Sequence, residues 1–162
     1  MSAYFEDLEI GATTHLGSHT FTRDEIIDFA SKYDPQAFHL NEEAARQTLF
    51  GALCASGWHT SAIWLRLLID YRNREADLMR FRGERPARYG PSPGFQDLRW
   101  LKPVFVGDTV SFTSRVKEKV DSRSRPSVGL VLFDNEGVNQ QGEPVFSVVS
   151  KVFVERRKPF EA

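Results

Sequence analysis

Cysteine occurs once in the chain, as Cys54. A single thiol cannot form an intrachain disulfide, which sets aside small disulfide-stapled scaffolds and agrees with a reducing compartment. Net charge is equally sparse: 21 Lys+Arg against 22 Asp+Glu leave -1. So close a balance gives no global attraction to nucleic acid or to an anionic membrane, and any anion site must be a local cluster. Long apolar runs are missing too. The longest, from Ala62 to Ile69, is broken by Arg66 and falls far short of the roughly 20 residues that span a bilayer. The first residues, Met1-Ser2-Ala3-Tyr4-Phe5-Glu6-Asp7, lack the basic and apolar regions of a secretory signal. Glycine-rich phosphate loops, dinucleotide fingerprints, internal repeats and low-complexity tracts are absent. The expectation is a soluble cytoplasmic protein with no nucleic-acid or membrane partner.

What is present is the make-up of a globular chain. Its 162 residues, 41% hydrophobic and 27% charged, fit one domain, 1–162, with a core of its own. Residues 12–21 alternate loosely and read as a strand. Thr22-Arg23-Asp24-Glu25 reads as a capping box, with Glu25 reaching back to the chain before it. The helix it opens, over residues 24–32, would bury Ile26, Ile27, Phe29 and Ala30, and Pro35 would end it. A short turn over 42–47 would be capped by Asn41. The strongest helical signal runs from Gly57 to about Leu78 and is apolar nearly all round, so burial is expected. Residues 79–94, rich in Arg, Gly and Pro, read as a long loop. Alternation then predicts strands at 109–116, 128–133 and 145–154. Asp134-Asn135-Glu136-Gly137 and Gln141-Gly142 would supply the turns between them. This order predicts an α+β fold, an antiparallel β-sheet wrapped around one long central α-helix.

The most informative segment is Tyr33-Asp34-Pro35-Gln36-Ala37-Phe38-His39. It lies between two helices and places a carboxylate and an imidazole five residues apart. In an irregular stretch both side chains can converge on one volume, and an Asp/His pair is an acid–base couple near neutral pH. Read from spacing alone, a second account stands beside the first: Asp34 turns the chain before Pro35 and His39 is a satisfied core histidine. The sequence holds further candidates with bland alternatives. Cys54 and His59 suggest a thiol nucleophile, but Ala52, Leu53 and Ala55 around the cysteine point to a small buried hydrophobe. His15 and His19 sit four apart on one expected strand face. Two ligands do not make a zinc site, so no metal is expected.

The stretch Ala30–Leu40 resembles the hydratase signature of the MaoC-like, or (R)-specific enoyl-CoA hydratase, family, roughly D-x-N-P-x-H. Asp34 and His39 fall on its two catalytic positions. Gln36 stands where the signature has Asn, and Ala37 where it has Pro. The stretch 50–60 (Phe-Gly-Ala-Leu-Cys-Ala-Ser-Gly-Trp-His-Thr) resembles the segment that opens the family's central helix, with Ser56-Gly57 in place of the frequent His-Gly. The stretch 98–109 (Leu-Arg-Trp-Leu-Lys-Pro-Val-Phe-Val-Gly-Asp-Thr) resembles its strand–turn–strand motif. The resemblance covers most of the chain in the right order.

It implies a hot-dog fold, a homodimer, and a substrate that is an acyl thioester of CoA or of an acyl-carrier protein, with no resident cofactor. The implied reaction is reversible addition of water to a trans-2-enoyl-CoA, giving a (3R)-hydroxyacyl-CoA. Asp34 and His39 would hold the water. Charge developing on the thioester oxygen needs a backbone donor. The helix start at Ser56 and Gly57, or the amide near Gly94, could supply it. Arg80, Arg82, Arg85 and Arg88 form a local basic cluster that would either grip CoA phosphates or face solvent beside Glu84. A thioesterase on the same fold and a non-catalytic thioester-binding protein are the rival readings.

Overall fold

In the computed structural model, residues 3–161 are described. Five antiparallel strands form one sheet: β1 (Thr13–Thr20), β2 (Phe95–Trp100), β3 (Thr109–Asp121), β4 (Val128–Val138) and β5 (Pro144–Glu155), in the order β1-β3-β4-β5-β2. Between β1 and β2 run α1 (Arg23–Tyr33), two single-turn helices, α2 (Ala37–Leu40) and α3 (Glu42–Arg46), and the long α4 (Gly57–Phe81). The sheet packs against α4, which is the architecture expected from the sequence. Among the described residues, no helix is long and apolar enough to cross a membrane.

Helix α4 begins at Ser56, whose hydroxyl accepts from the Trp58 amide. Thr60, Trp64 and Leu68 are four residues apart and therefore share a face; all three are buried. Trp64 and Leu68 join Phe112, Val145, Phe146 and Val148 of the sheet in the main core. The all-round burial expected of this helix is not seen in the single chain. Trp58, Leu65, Ile69 and Leu78 are 41–55% exposed, because one sheet covers only one side of a helix. Its C-terminal end runs to Phe81, so the expected loop starts at residue 82 rather than 79.

Three other expectations need correction. Asp134-Asn135-Glu136-Gly137 is not a turn but the second half of β4. Asn135 is buried there, its amide donating to the carbonyls of Phe133 and Val148. Gly137 is required by crowding, since a Cβ would sit 2.8 Å from the Phe112 ring. The real β4–β5 turn is built by Asn139, whose side-chain oxygen accepts from the amides of Gln141 and Glu143. Second, Thr22 does cap α1 through the Glu25 amide, but the Glu25 carboxylate turns to His19, at 2.5 Å, instead of reaching back. Third, His15 and His19 do not share a face. A bulge between His15 and Gly17 inserts one residue into β1, which reverses the alternation. His15 is left on the exposed face, and His19 packs on Phe21. No grouping of three or more metal-binding side chains occurs among the described residues.

Candidate active site

Three chain segments meet at one end of α4. Helix α1 stops at Tyr33, and Asp34 follows it in a non-helical conformation (φ -152°, ψ 69°), as the proline that comes next disfavours the helical region. Helix α2 then brings His39 back toward Asp34, and the start of α4 adds Ser56. Together with residues 100–104 and Val145 they line a cavity of about 580 Å3. The side chains of Asp34 and His39 are 18% and 7% exposed, so the pair is reached through the cavity and not from open surface.

The hydrogen bonds orient both groups. His39 Nδ1 lies 2.7 Å from the Cys54 carbonyl. A carbonyl can only accept, so Nδ1 carries the proton and Nε2 presents its lone pair in the neutral ring. That Nε2 is 3.4 Å from Asp34 Oδ2, too far for a strong mutual bond. Ser56 Oγ donates to Asp34 Oδ2 at 2.6 Å, and Gln36 Nε2 donates to Oδ1 at 2.8 Å. Partial burial works against the Asp34 anion, but these two bonds and the nearby His39 outweigh it, and the carboxyl lies below its ordinary value. The site thus holds an ionised carboxylate and an imidazole lone pair close together. Each can accept one hydrogen of the same water molecule.

The expected positioning residues divide. Ser56 and Gly57 line the cavity. Ser56 is chiefly the donor that fixes Asp34. The Gly57 amide opens the first turn of α4, where helical amides lack intrahelical partners. A Cβ at Gly57 would stand 2.2 Å from the Trp100 ring, so only glycine lets Trp100 close over the helix start. Gly94 lies outside the cavity lining, in the segment before β2, with φ +134°. The arginine cluster is also elsewhere. Arg80 pairs with Asp77, Arg82 with Glu84 and Arg85 with Glu155, while the Arg88 amide donates to Glu155. The cation that does line the cavity is Lys102, paired with Glu143 at 2.6 Å. Cys54 sits 3.8 Å from His39 Nδ1, but burial pushes its thiol up to about 11. It is therefore a protonated wall residue and not a nucleophile.

Two features escaped the sequence reading. Gln36 donates to Asp34, so a residue that departs from the signature still serves the carboxylate. Trp58 and Trp100 meet edge to face at the mouth (5.1 Å), with Trp100 Nε1 donating to Ser61. The spacing Asp34-Pro35-Gln36 was a usable signal for the first. Nothing local to Trp100 signals the second.

Residues 8–132 match the MaoC like domain family. The chain belongs to that family. Similarity extends to the 3-hydroxybutyryl-CoA dehydratase of Methylorubrum extorquens, 29% identical over 153 residues, which are 91% of this chain and 85% of that protein. The crystal structure of the MaoC-like dehydratase from Rhodospirillum rubrum aligns with a TM-score of 0.80 and 35% identity, over 96% of this chain and 99% of that one. The R-hydratase PhaJ1 from Pseudomonas aeruginosa shares the fold, with a TM-score of 0.65 and 18% identity over 98% of this chain and 90% of that one. The sheet-and-helix arrangement is thus the hot-dog fold. The MaoC-like chain is accordingly a hydro-lyase of the hydratase/dehydratase type.

Proposed function

We propose that this MaoC-like enzyme adds water reversibly to a trans-2-enoyl thioester of CoA or an acyl-carrier protein, giving the (3R)-hydroxyacyl product, with Asp34 and His39 as the catalytic pair. The observation that carries the reading is the convergence of the Asp34 carboxylate and the His39 Nε2 lone pair, 3.4 Å apart, on one cavity. Water held between them loses one proton to the pair as its oxygen bonds to Cβ. The pair returns a proton to Cα on the same face of the double bond, so neither group is consumed. Because Asp34 is held below its ordinary value, it is ionised and ready to accept near neutral pH. Negative charge passing onto the thioester oxygen would be met by the amide of Gly57 and the positive end of α4. Gly94 lies outside the lining, which favours Gly57 for that part. Trp58, Leu65 and Ile69 on the outer face of α4, and Phe95 on edge strand β2, are 41–58% exposed. This apolar surface supports the homodimer reading, to be measured as mass in solution.

The test follows the enoyl-thioester absorbance on a panel of trans-2-enoyl-CoAs, with free thiol monitored in parallel. Loss of absorbance without thiol release, abolished in Asp34→Asn, is the expected result. Thiol release would identify a thioesterase instead. Thioester binding without either signal would identify a non-catalytic binding protein.

A further inference from the structure

The backbone amides that open α4 are nearly all taken. Ser56 Oγ accepts from the Trp58 amide, and the Ser56 carbonyl accepts from the amides of His59 and Thr60. The Gly57 amide has no protein partner among the described residues, as befits a first-turn donor. It stands one residue from Ser56, which holds Asp34. Trp100 lies directly against this position, and both residues line the cavity. A Cβ at Gly57 would overlap Cγ, Cδ2 and Cε2 of the Trp100 indole. The ring is tied in place. Its Nε1 donates to Ser61 Oγ at 3.1 Å, and Ser61 Oγ donates to the Gly57 carbonyl at 2.9 Å. Trp58 meets the ring edge to face. The backbone beneath it is fixed as well: β2 pairs Trp100 with Phe146, and the Leu101 amide donates to the Val145 carbonyl. With its N–H spent on Ser61, the indole presents only an apolar plate beside the free Gly57 amide.

We propose, building on the hydratase reading, that Trp100 is a positioning residue for the thioester carbonyl. It acts through Gly57, keeping water off that amide and confining the carbonyl oxygen to it. A donor shielded from water stabilises developing charge more strongly than one that water also reaches. Because the charge grows on the oxygen as the reaction proceeds, the benefit falls on kcat more than on KM.

The test uses the full chain and butyryl-CoA isotope-labelled at its carbonyl, a saturated thioester that cannot be hydrated. In difference infrared spectra of the wild type, the bound carbonyl stretch should lie below its value in water. In Trp100→Ala it should return toward that value. In Trp100→Phe, which keeps a ring, it should stay near the wild type. For enoyl-CoA hydration, kcat should fall about tenfold in Trp100→Ala, less than the 10²–10³ of removing a donor outright. KM should change less, and Trp100→Phe should recover most of the loss. Ser61→Ala removes the tie and keeps the ring. It should move both readouts the same way by a smaller amount, and it serves if Trp100→Ala does not fold. A carbonyl stretch that stays in place in the folded variants would overturn the proposal, as would a loss confined to KM. The hydratase reading is separated by the same pair of measurements. A lowered stretch with no hydration of any enoyl-CoA would keep the part given to Trp100 and remove the hydratase reading. Hydration abolished in Asp34→Asn, with the wild-type stretch at its value in water, would do the reverse.

Discussion

The two ends of the sheet are both rich in aromatic side chains, yet one is sealed and the other holds a cavity. At the sealed end Phe5, Leu8, Val116, Val131, Phe133, Val152 and Val154 form a second core. Cations cover it: Arg156 lies 4.0 Å and Lys119 4.7 Å from the Phe5 ring centroid. Arg85 and Arg157 pair with Glu155 and Asp7 around the rim. At the open end Trp58 and Trp100 meet at the mouth, and Asp34, His39 and Ser56 line the cavity behind them. The difference shows what the basic residues are for. In the single chain Arg80, Arg82 and Arg85 pair with Asp77, Glu84 and Glu155, whereas the Asp34 carboxylate at the open end is held by the neutral donors Ser56 and Gln36.

The division of labour can be broken most directly at Asp34. Asp34→Asn should keep the fold and lower kcat/KM for enoyl-CoA hydration by about 10²–10⁴-fold, the span of general acid–base catalysis. Melting temperature measured alongside should move little. A folded variant with wild-type turnover would remove Asp34 from the chemistry.

The converse change is Phe5→Ala. The Phe5 ring fills the space where Gly129 has no Cβ, and a Cβ there would lie 2.2 Å from it. Truncating this buried ring should lower unfolding free energy by about 3–5 kcal/mol in a denaturant titration. Turnover per folded molecule at low temperature should stay unchanged. A parallel fall in turnover would mean that the two ends are coupled, and the contrast between them would fail.

How much of this was legible in the sequence depends on distance along the chain. Asp34, Pro35, Gln36 and His39 are local, and their residue types announce both the loop and the acid–base couple. The same holds for the start of α4, where Ser56 and Gly57 mark a cap. Alternation over 109–116 predicted a strand, and the structure places it in β3, where Val110, Phe112, Ser114 and Val116 form the buried face. Pairing across the sheet was not legible. Gly137 looked like a turn residue because its real constraint, the Phe112 ring, is 25 positions away in sequence and comes only with the β3–β4 register. Gly57 is constrained by Trp100 in the same hidden way. The bulge in β1 reversed the side of His19 through a single inserted residue, which periodicity cannot register. The arginine cluster read as a candidate phosphate grip because Glu155, which holds Arg85 and Arg88, is near them only in the folded chain.

Ser56→Ala sharpens the contrast at intermediate size. The hydroxyl caps α4 through the Trp58 amide and donates to Asp34. Loss of the cap should cost about 1 kcal/mol in the same titration. Loss of the donor also removes one of the bonds that hold Asp34 low. The Asp34 carboxyl should then titrate at higher pH. The acid limb of kcat/KM, which belongs to the free enzyme, should shift upward with it. Gln36→Ala should shift it in the same direction. An acid limb that stays in place in both variants would show that these donors do not tune the Asp34 carboxylate.

The smallest effect lies just behind the site, at His59. Its ring is stacked on Phe29 at 4.6 Å and meets Phe21 edge to face, and its Nδ1 is buried without a hydrogen-bond partner among the described residues. Burial lowers its pKa below 6.5; His19 adds to this and Glu25 opposes it. The native state therefore resists a proton that the unfolded chain accepts. The stability from keeping His59 neutral is complete above about pH 6.5 and is lost as pH falls from there through the lower native value. For one proton the slope cannot exceed about 1.4 kcal/mol per pH unit. Urea titrations at pH 7.5 and 5.5 should show a smaller loss in His59→Phe than in the wild type. An identical loss in both would place the acid sensitivity elsewhere. The comparison also separates packing from catalysis, because His59 is not among the cavity-lining residues while Trp58 and Thr60 on either side of it are. A change in the pH dependence of stability, with the acid limb of kcat/KM unmoved, is what that position requires.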